Sequence, residues 1–227
     1  LNTQELICFS YACSSQSETL TERVKYSNKI LLPPNILYEL NKNSNEFKSP
    51  LFFKIINKEN KLNEVCGVQE FTSPPGVIHV PYHIMEQLGI NEGDNVNIEL
   101  FMPSDGTYVK IRPHSTDFIN LSDPKSVLEK VLSNDYPVIK EGSTICINYK
   151  ELNKIYHIDI METKPESIIK IINVDINVDF DEPLDYVPPE KPVKLNNFLK
   201  KTNDKKEDVK DYDSNRFPGK GNRLGTK

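Results

Sequence analysis

Tryptophan is absent from the 227 residues, and methionine (3), cysteine (4) and glycine (9) are scarce. Four cysteines without a CxxC pair or a nearby histidine cluster make neither a disulfide scaffold nor a zinc motif, so we expect reduced, partly buried thiols. No apolar run approaches the roughly 20 residues of a membrane-spanning helix, and no secretory-type leader pattern opens the printed chain. We therefore expect neither a disulfide-stapled domain nor a membrane-spanning helix.

The two signs of charge are divided along the chain. Residues 188–227 hold 11 Lys and Arg against 6 Asp and Glu, a net charge of +5. Because the net charge of the whole chain is −5, residues 1–187 carry a net charge of −10. An acidic body argues against nucleic-acid binding by the folded part. The basic tail is dense in Lys, Asp, Asn and Pro without hydrophobic periodicity, which predicts a disordered segment. At about 30 Å, the root-mean-square reach of residues 188–216 would suit a tether.

An internal repeat relates residues 30–40 to residues 78–88 at an offset of 48. The identical positions are Ile30/Ile78, Pro33/Pro81, Ile36/Ile84 and Leu40/Leu88. Each copy reads as a strand, a proline where a helix begins, and about two helical turns with one apolar face; Gly89 ends the second helix. Two such halves predict one small β-barrel.

The sequence predicts three parts: a barrel over 1–113, an α/β subdomain over 114–187 and a tail over 188–227. Strand alternation recurs through the first two, with a hairpin expected at Asp105-Gly106. Residues 121–132 predict a helix, with Asp123 as its cap and Pro124 in its first turn. The alternating run 172–180 predicts a strand with Asn and Asp facing water. The second subdomain is therefore expected to be a helix on a small antiparallel sheet.

Motifs that would carry catalysis or bind metal do not emerge. His79 and His83 have a spacing that can bind metal on one helix, but Pro81 separates them and His79 belongs to a strand, so we predict no metal site. His114 and His157 show no partner pattern. The glycine-rich end resembles a phosphate loop, but position 224 is leucine where either nucleotide motif needs another residue. We predict no catalytic residue, no cofactor and no enzyme activity.

The last dozen residues, RFPGKGNRLGTK, keep one phenylalanine and one leucine seven residues apart in an apolar-poor tail. Alternating glycines let an extended backbone lie close to a partner's sheet edge, while Phe217 and Leu224 each fill a pocket. Two such anchors predict about micromolar docking, since a buried Phe contributes roughly 1.5–3 kcal/mol. A glycine-rich terminus without a role is the alternative. The pattern favours an adaptor over an enzyme.

Several segments together resemble the ubiquitin fusion degradation protein 1 family. They are NKILLPP (28–34), YHIMEQLGINEG (82–93), PHSTDFINLSDPKSVLE (113–129), INYKE (147–151), KIY (154–156), METKP (161–165) and INVDFDEPLDY (176–186). The resemblance spans residues 6–187, and RFPGKGNRL resembles the family's tail motif. It implies a mostly β fold: a double-psi β-barrel, then a small α/β subdomain, then the disordered tail.

The resemblance also implies a function and partners. It implies a non-catalytic adaptor that binds ubiquitin chains and recruits conjugates to a valosin-containing-protein-type AAA ATPase for extraction and proteasomal degradation, as in endoplasmic-reticulum-associated degradation. The location it implies is cytoplasmic and nuclear, at the surface of the endoplasmic reticulum and at most peripheral to the membrane. Pairing with the nuclear protein localisation 4 homologue is also implied, but family members continue past this motif into a partner-binding segment, so that pairing stays open.

Carried over residue by residue, the resemblance gives an ATPase-docking motif. Its residues are Phe217, Gly219, Gly221, Asn222, Arg223 and Leu224. Pro218 departs from the pattern, where a small hydroxyl residue is usual, and it lacks an N–H for a backbone bond to the partner. No ubiquitin-contacting residue can be assigned from the sequence.

Two alternatives stay open. In lineages with a complex plastid, the same machinery serves protein import from an outer plastid compartment, and a lost targeting leader would fit that location. The rival of another class is an enzyme built on a double-psi barrel, which would need a paired acid or a self-processing serine.

Overall fold

The computed structural model describes residues 3–43 and 49–188, and the structural statements below refer to these residues. The strands are β1 (Gln4–Ser10), β2 (Lys29–Leu31), β3 (Phe52–Asn57), β4 (Asn63–Glu70), β5 (Val77–Val80), β6 (Asn95–Phe101), β7 (Ser104–Asp105), β8 (Tyr108–Pro113), β9 (Val138–Lys140), β10 (Thr144–Tyr149), β11 (Lys154–Lys164), β12 (Ile168–Lys170) and β13 (Asn177–Phe180). The α-helices are α1 (Glu18–Val24), α2 (Pro34–Asn43), α3 (Tyr82–Leu88), α4 (Thr116–Ile119) and α5 (Pro124–Asp135). None of the helices in these two ranges has both the length and the apolar character needed to cross a membrane.

Six strands close into a barrel in the order β1-β5-β2-β4-β3-β6. The pairs β1/β5 and β2/β4 are parallel, whereas the other neighbours run antiparallel. Inward-facing side chains such as Phe53 and Ile55 are fully buried and fill the interior with residues from α2 and α3. The topology and the β-rich composition confirm the expected double-psi barrel.

The repeat found in the sequence is the pseudo-symmetry of this barrel. The β2-α2 unit corresponds to β5-α3, and β2 pairs in parallel with β4 as β5 pairs in parallel with β1. β1 therefore supplies from the start of the chain the counterpart of β4. Gly89 ends α3 in the left-handed conformation (φ 63°), which a glycine adopts without the Cβ penalty.

The second subdomain has a four-stranded sheet, β10-β11-β8-β13, and a three-stranded sheet, β7-β12-β9. α5 starts as predicted: the Asp123 carboxylate accepts a 3.0 Å bond from the Ser126 N–H, and Pro124 takes the first helical position. Its apolar face buries Leu128 and Leu132 in one cluster with Phe118 and Tyr156. The sheet is mixed rather than antiparallel, because β13 runs parallel to β8.

Three predictions about this region need correction. β6 and β8 do not form a hairpin at Asp105-Gly106, because β6 stays in the barrel while β8 pairs with β11 and β13. β8 thus belongs to the second subdomain, and the boundary lies before it rather than at 113/114. Of the run 172–180 only β13 is a strand, because residues 171–176 turn across the end of α5 instead of joining a ladder.

The four cysteines are free, as expected from their spacing. Three of them, Cys8, Cys66 and Cys146, are buried, and Cys13 is exposed. Burial raises the pKa of the Cys8 thiol to about 12, with Glu92 and Asp94 adding to the effect. Cys8 and Cys66 therefore act as small apolar groups of the barrel core.

Candidate functional site: the junction of the two subdomains

The predicted docking motif lies outside the described residues. Its members are Phe217, Gly219, Gly221, Asn222, Arg223 and Leu224. The tail assignment therefore stays a prediction. Within the described residues, the features that can support binding lie where the barrel meets the second subdomain.

A buried asparagine connects the two subdomains. Asn28, at the start of the barrel's first repeat unit, is 5% exposed, and its Nδ2 donates to the backbone carbonyl of Val138 at 2.5 Å. A longer contact reaches the Val65 carbonyl at 3.4 Å. Asn28 and Val138 are 110 residues apart in sequence, so no local pattern indicates this link.

We expect Asn28→Ala to lower the free energy of unfolding by about 1–3 kcal/mol, since it leaves the buried Val138 carbonyl without its donor. Asn95→Ala, at an exposed position of β6, is the matched control and should change stability by less than about 0.5 kcal/mol. Urea unfolding followed by circular dichroism measures both. Equal stabilities of the two variants would contradict a structural role for Asn28.

A buried carboxylate forms the second link. Glu64 of β4 accepts bonds from the Ser143 hydroxyl at 2.9 and 2.7 Å and lies 3.3 Å from the Lys140 ammonium. Burial raises the pKa of Glu64, and Lys140 and Ser143 oppose the rise. The Lys140 ammonium also donates to the Asn63 carbonyl. This group joins a barrel strand to the turn that follows β9.

Two further contacts complete the junction. The side chain of Gln87 in α3 donates to the Thr144 carbonyl at 2.9 Å and accepts from the Thr144 N–H at 3.1 Å. A Cβ at Gly67 would lie 2.7 Å from the Pro137 ring, so β4 approaches Pro137 more closely than a larger residue permits. The two subdomains therefore meet through polar links and close packing along one continuous junction.

A groove runs beside this junction, between α1 of the barrel and α5 with β10 of the second subdomain. Cavities of about 620 and 400 Å³ adjoin along it. They share the lining residues Val131, Asn134, Asp135, Asn148 and Lys150. Burial raises the pKa of Asp135, with Lys29, Arg23 and Lys150 opposing the rise. A groove lined by charges of both signs suits a protein surface better than an apolar small ligand.

The outer face of the four-stranded sheet carries a polar cluster centred on Asp159. His114 Nε2 lies 2.7 Å from Asp159 Oδ1, and Arg112 lies 3.2 Å from Oδ2. The Thr144 hydroxyl donates to Asp159 at 2.8 Å. Burial alone would raise the pKa of Asp159, but the bonds from His114, Thr144 and Arg112 lower it. His114 showed no partner pattern in the sequence. The pairing of β8 with β11 brings the Asp159 carboxylate beside it.

A cysteine and a histidine also meet on this face, and their electrostatics bear on the enzyme alternative. Cys146 Sγ lies 3.5 Å from His157 Nδ1. Burial raises the pKa of Cys146 to about 11, with Glu86 adding to the rise. A nucleophilic cysteine needs a lowered pKa and an accessible sulfur, and this thiol has neither. The pair fits structural packing.

The two histidines weighed as metal ligands are held apart by the fold. His79 lies in β5 with its Nδ1 2.8 Å from the Ser73 hydroxyl, whereas His83 lies in α3. Among the described residues, no group of three or more His, Cys, Asp or Glu side chains is placed to hold a metal ion.

The fold and the junction define a class: a double-psi barrel joined to an α/β subdomain in one compact unit that ends at Val187. Two family models match it: "Ubiquitin fusion degradation protein UFD1, N-terminal subdomain 1" over residues 3–103 and "N-terminal subdomain 2" of the same protein over 105–183. The chain belongs to the ubiquitin fusion degradation protein 1 family. The two models meet before β8, in agreement with the strand pairing.

Relatives support the same family. The chain is 36% identical over 220 residues to "Ubiquitin recognition factor in ER-associated degradation protein 1" of Mus musculus, a match that covers 97% of this chain and 70% of the relative. It is also 36% identical over 168 residues to "Ubiquitin fusion degradation protein 1" of Saccharomyces cerevisiae, covering 73% of this chain and 45% of the relative. A match over 97% of the chain necessarily extends beyond residue 187 into the tail.

Proposed function

We propose that this chain is a non-catalytic adaptor that recognises ubiquitinated proteins and recruits them to a valosin-containing-protein-type AAA ATPase. Family membership, with a mouse relative named as a ubiquitin recognition factor in ER-associated degradation, is the observation that carries the proposal. We place its action in the cytoplasm and nucleus, at the surface of the endoplasmic reticulum. The nuclear protein localisation 4 homologue is the partner we propose for it.

The two functions are assigned to different parts of the chain. Ubiquitin recognition belongs to the folded unit, whose junction joins two subdomains into one surface with a groove beside it. ATPase docking is assigned to residues 217–224, and the match to the mouse relative, which covers 97% of the chain, reaches into this stretch.

A bridging assay tests the adaptor. The AAA ATPase is immobilised, tetraubiquitin of defined linkage is added, and retention of ubiquitin is measured with and without the full chain. We expect retention only when the full chain is present. Failure of the wild-type chain to bind tetraubiquitin in solution would contradict ubiquitin recognition. Cleavage of the tetraubiquitin by the purified chain would contradict the non-catalytic assignment.

Phe217→Ala tests the docking motif separately. Losing one buried aromatic anchor, worth about 1.5–3 kcal/mol, should weaken binding to the ATPase by roughly 10- to 100-fold in calorimetry. Tetraubiquitin binding by the same variant should be unchanged. Tyr212→Ala, which removes an aromatic residue five positions before the motif, is the matched control and should bind the ATPase like the wild type. Unchanged affinity of the Phe217→Ala variant would reject the motif.

A further inference from the structure

β13 is an edge strand with backbone groups available for pairing. It lies at the end of the four-stranded sheet, and β8 is its partner on one side. Asn177 and Asp181 donate their N–H groups to the carbonyls of Thr107 and Ile111 on the β8 side. Because successive residues of a strand point their hydrogen-bonding groups in opposite directions, those of Val178 and Phe180 point away from the sheet. No described residue pairs with them.

The side chains along this edge alternate in chemistry. Val178 and Phe180 lie opposite the buried residues Val109 and Ile111 of β8 and share their apolar face. Phe180 nevertheless stays 38% exposed. On the other face, Asp179 accepts from the Tyr108 hydroxyl at 3.1 Å and is otherwise exposed. The edge thus offers an apolar side and an acidic side along one exposed strand.

A cavity lies next to Val178, on the same side of β13 as Phe180. It has a volume of about 360 Å³ and lies between the end of α5 and the segment that leads into β13. Its wall is mixed: apolar side chains come from Leu132, Ile171, Val174, Ile176 and Val178, and polar ones from Glu129, Ser133 and Asp175. An apolar side chain of a strand added beside β13 would fit a cavity of this size.

Charge decides what kind of strand fits. Residues 171–187 contain five Asp and Glu and no Lys or Arg, so this short segment accounts for half of the −10 carried by residues 1–187. Lys110 lies 3.2 Å from Asp181, and no described ion pair neutralises Asp175, Asp179 or Glu182. A basic partner is attracted here, and an acidic one is repelled.

We propose that the free edge of β13 docks an extended segment of a second protein whose side chains alternate between apolar and basic residues. The segment adds a fifth strand to the sheet, placing its apolar side chains beside Phe180 and in the cavity, and its Lys or Arg side chains over Asp179 and Asp181. Main-chain bonds to Val178 and Phe180 supply affinity, and the alternation supplies specificity. The inference goes beyond the proposed function and does not depend on ubiquitin recognition.

The test uses the full chain and a labelled eight-residue peptide that alternates valine and lysine. Fluorescence polarisation should show binding about tenfold tighter than for the valine–glutamate peptide, with affinity falling as salt rises. An otherwise identical valine–lysine peptide with alternate amides N-methylated cannot extend the sheet and should not bind. Equal binding of the lysine and glutamate peptides, or of the N-methylated peptide, would overturn the proposal.

Variants of β13 locate the site. Phe180→Pro removes an N–H that points away from β8, so it should leave the fold intact and lower peptide affinity by about tenfold or more. Phe180→Ala keeps that N–H and should lose less of the peptide affinity. Asp179→Lys combined with Asp181→Lys should reverse the preference toward the glutamate peptide. Thermal unfolding confirms that each variant is folded.

Three other results would overturn the proposal. The first is unchanged affinity of the Phe180→Pro variant, and the second is no peptide binding up to about 1 mM, the weakest range of specific docking. The third is concentration-dependent dimerisation of the chain that Phe180→Pro abolishes in sedimentation analysis, because the edge would then be occupied by a second copy.

Discussion

Phe53→Ala is expected to lower the free energy of unfolding by about 3–5 kcal/mol. Phe53 is fully buried in the barrel, in a cluster with Ile55, Cys66 and Leu88. Six strands surround this position, and a closed sheet cannot collapse into the space that the ring leaves. Tyr38→Ala, at a residue 71% exposed on α2, is the matched control and should change stability by less than about 0.5 kcal/mol.

The same experiment tests whether the two subdomains unfold together. Phe118 is fully buried in the core of the second subdomain, where it packs edge-to-face on Tyr156 at 5.3 Å. Because Asn28, Glu64 and Gln87 join the subdomains, we expect the whole unit to unfold in a single transition. Phe118→Ala should then lower the midpoint of the same transition that Phe53→Ala affects.

Calorimetry and circular dichroism measure these variants. For a unit of about 190 residues, the expected loss corresponds to a midpoint lower by roughly 10 °C. Two separate transitions, of which Phe118→Ala moves only one, would show that the junction does not couple the subdomains.

Acidification is expected to destabilise the protein through His83. Both ring nitrogens of His83 are buried without a hydrogen-bond partner of good geometry among the described residues. Burial lowers the pKa of His83 from 6.5 to about 4; the Lys25 backbone opposes the change, and His157 adds to it. Between pH 6.5 and about pH 4, this histidine binds a proton in the unfolded chain but not in the folded one. Stability is therefore complete above pH 6.5 and is lost as the pH falls toward 4.

The size of this effect follows from the two pKa values. Between pH 7.5 and 4.5, the wild type should lose about 2–3 kcal/mol relative to His83→Gln, which has no titrating ring. Comparing the two proteins removes the contributions of other groups. His79, whose pKa burial also lowers, acts in the same direction, whereas Glu64 and Asp135, whose pKa values burial raises, act in the opposite one.

Urea unfolding at a series of pH values gives both curves. Parallel curves for the wild type and the His83→Gln variant would contradict a buried neutral histidine at this position.

Local chemistry predicted much of the architecture. Asp123 and Pro124 indicated the start of α5, and Gly89 the end of α3, because caps and left-handed glycines act within one helical turn. The offset-48 repeat predicted two matching halves, since equal strand-and-helix units bury equal faces. These features depend on neighbours a few residues away, which a single sequence shows directly.

Contacts between residues far apart in the chain could not be predicted from the sequence. Asp105-Gly106 has the composition of a hairpin turn, yet the chain leaves the barrel there: the Gly106 N–H donates to the Lys170 carbonyl, and β8 continues in another sheet. In the same way, His114 looked unpartnered because its acceptor, Asp159, is 45 residues away. Turn composition does not specify which sheet the following strand joins.

By itself, the sequence determined the two-part β-rich fold, the helix caps, the free thiols and the family, because these rest on local patterns and on the order of elements. Only the tertiary structure decided where the subdomains divide, that Asn28 and Glu64 join them, that both ring nitrogens of His83 are buried, and that β13 leaves an acidic edge exposed. The physical reason is that burial and strand partnership arise when residues up to 110 positions apart are brought together, and no local interaction encodes them.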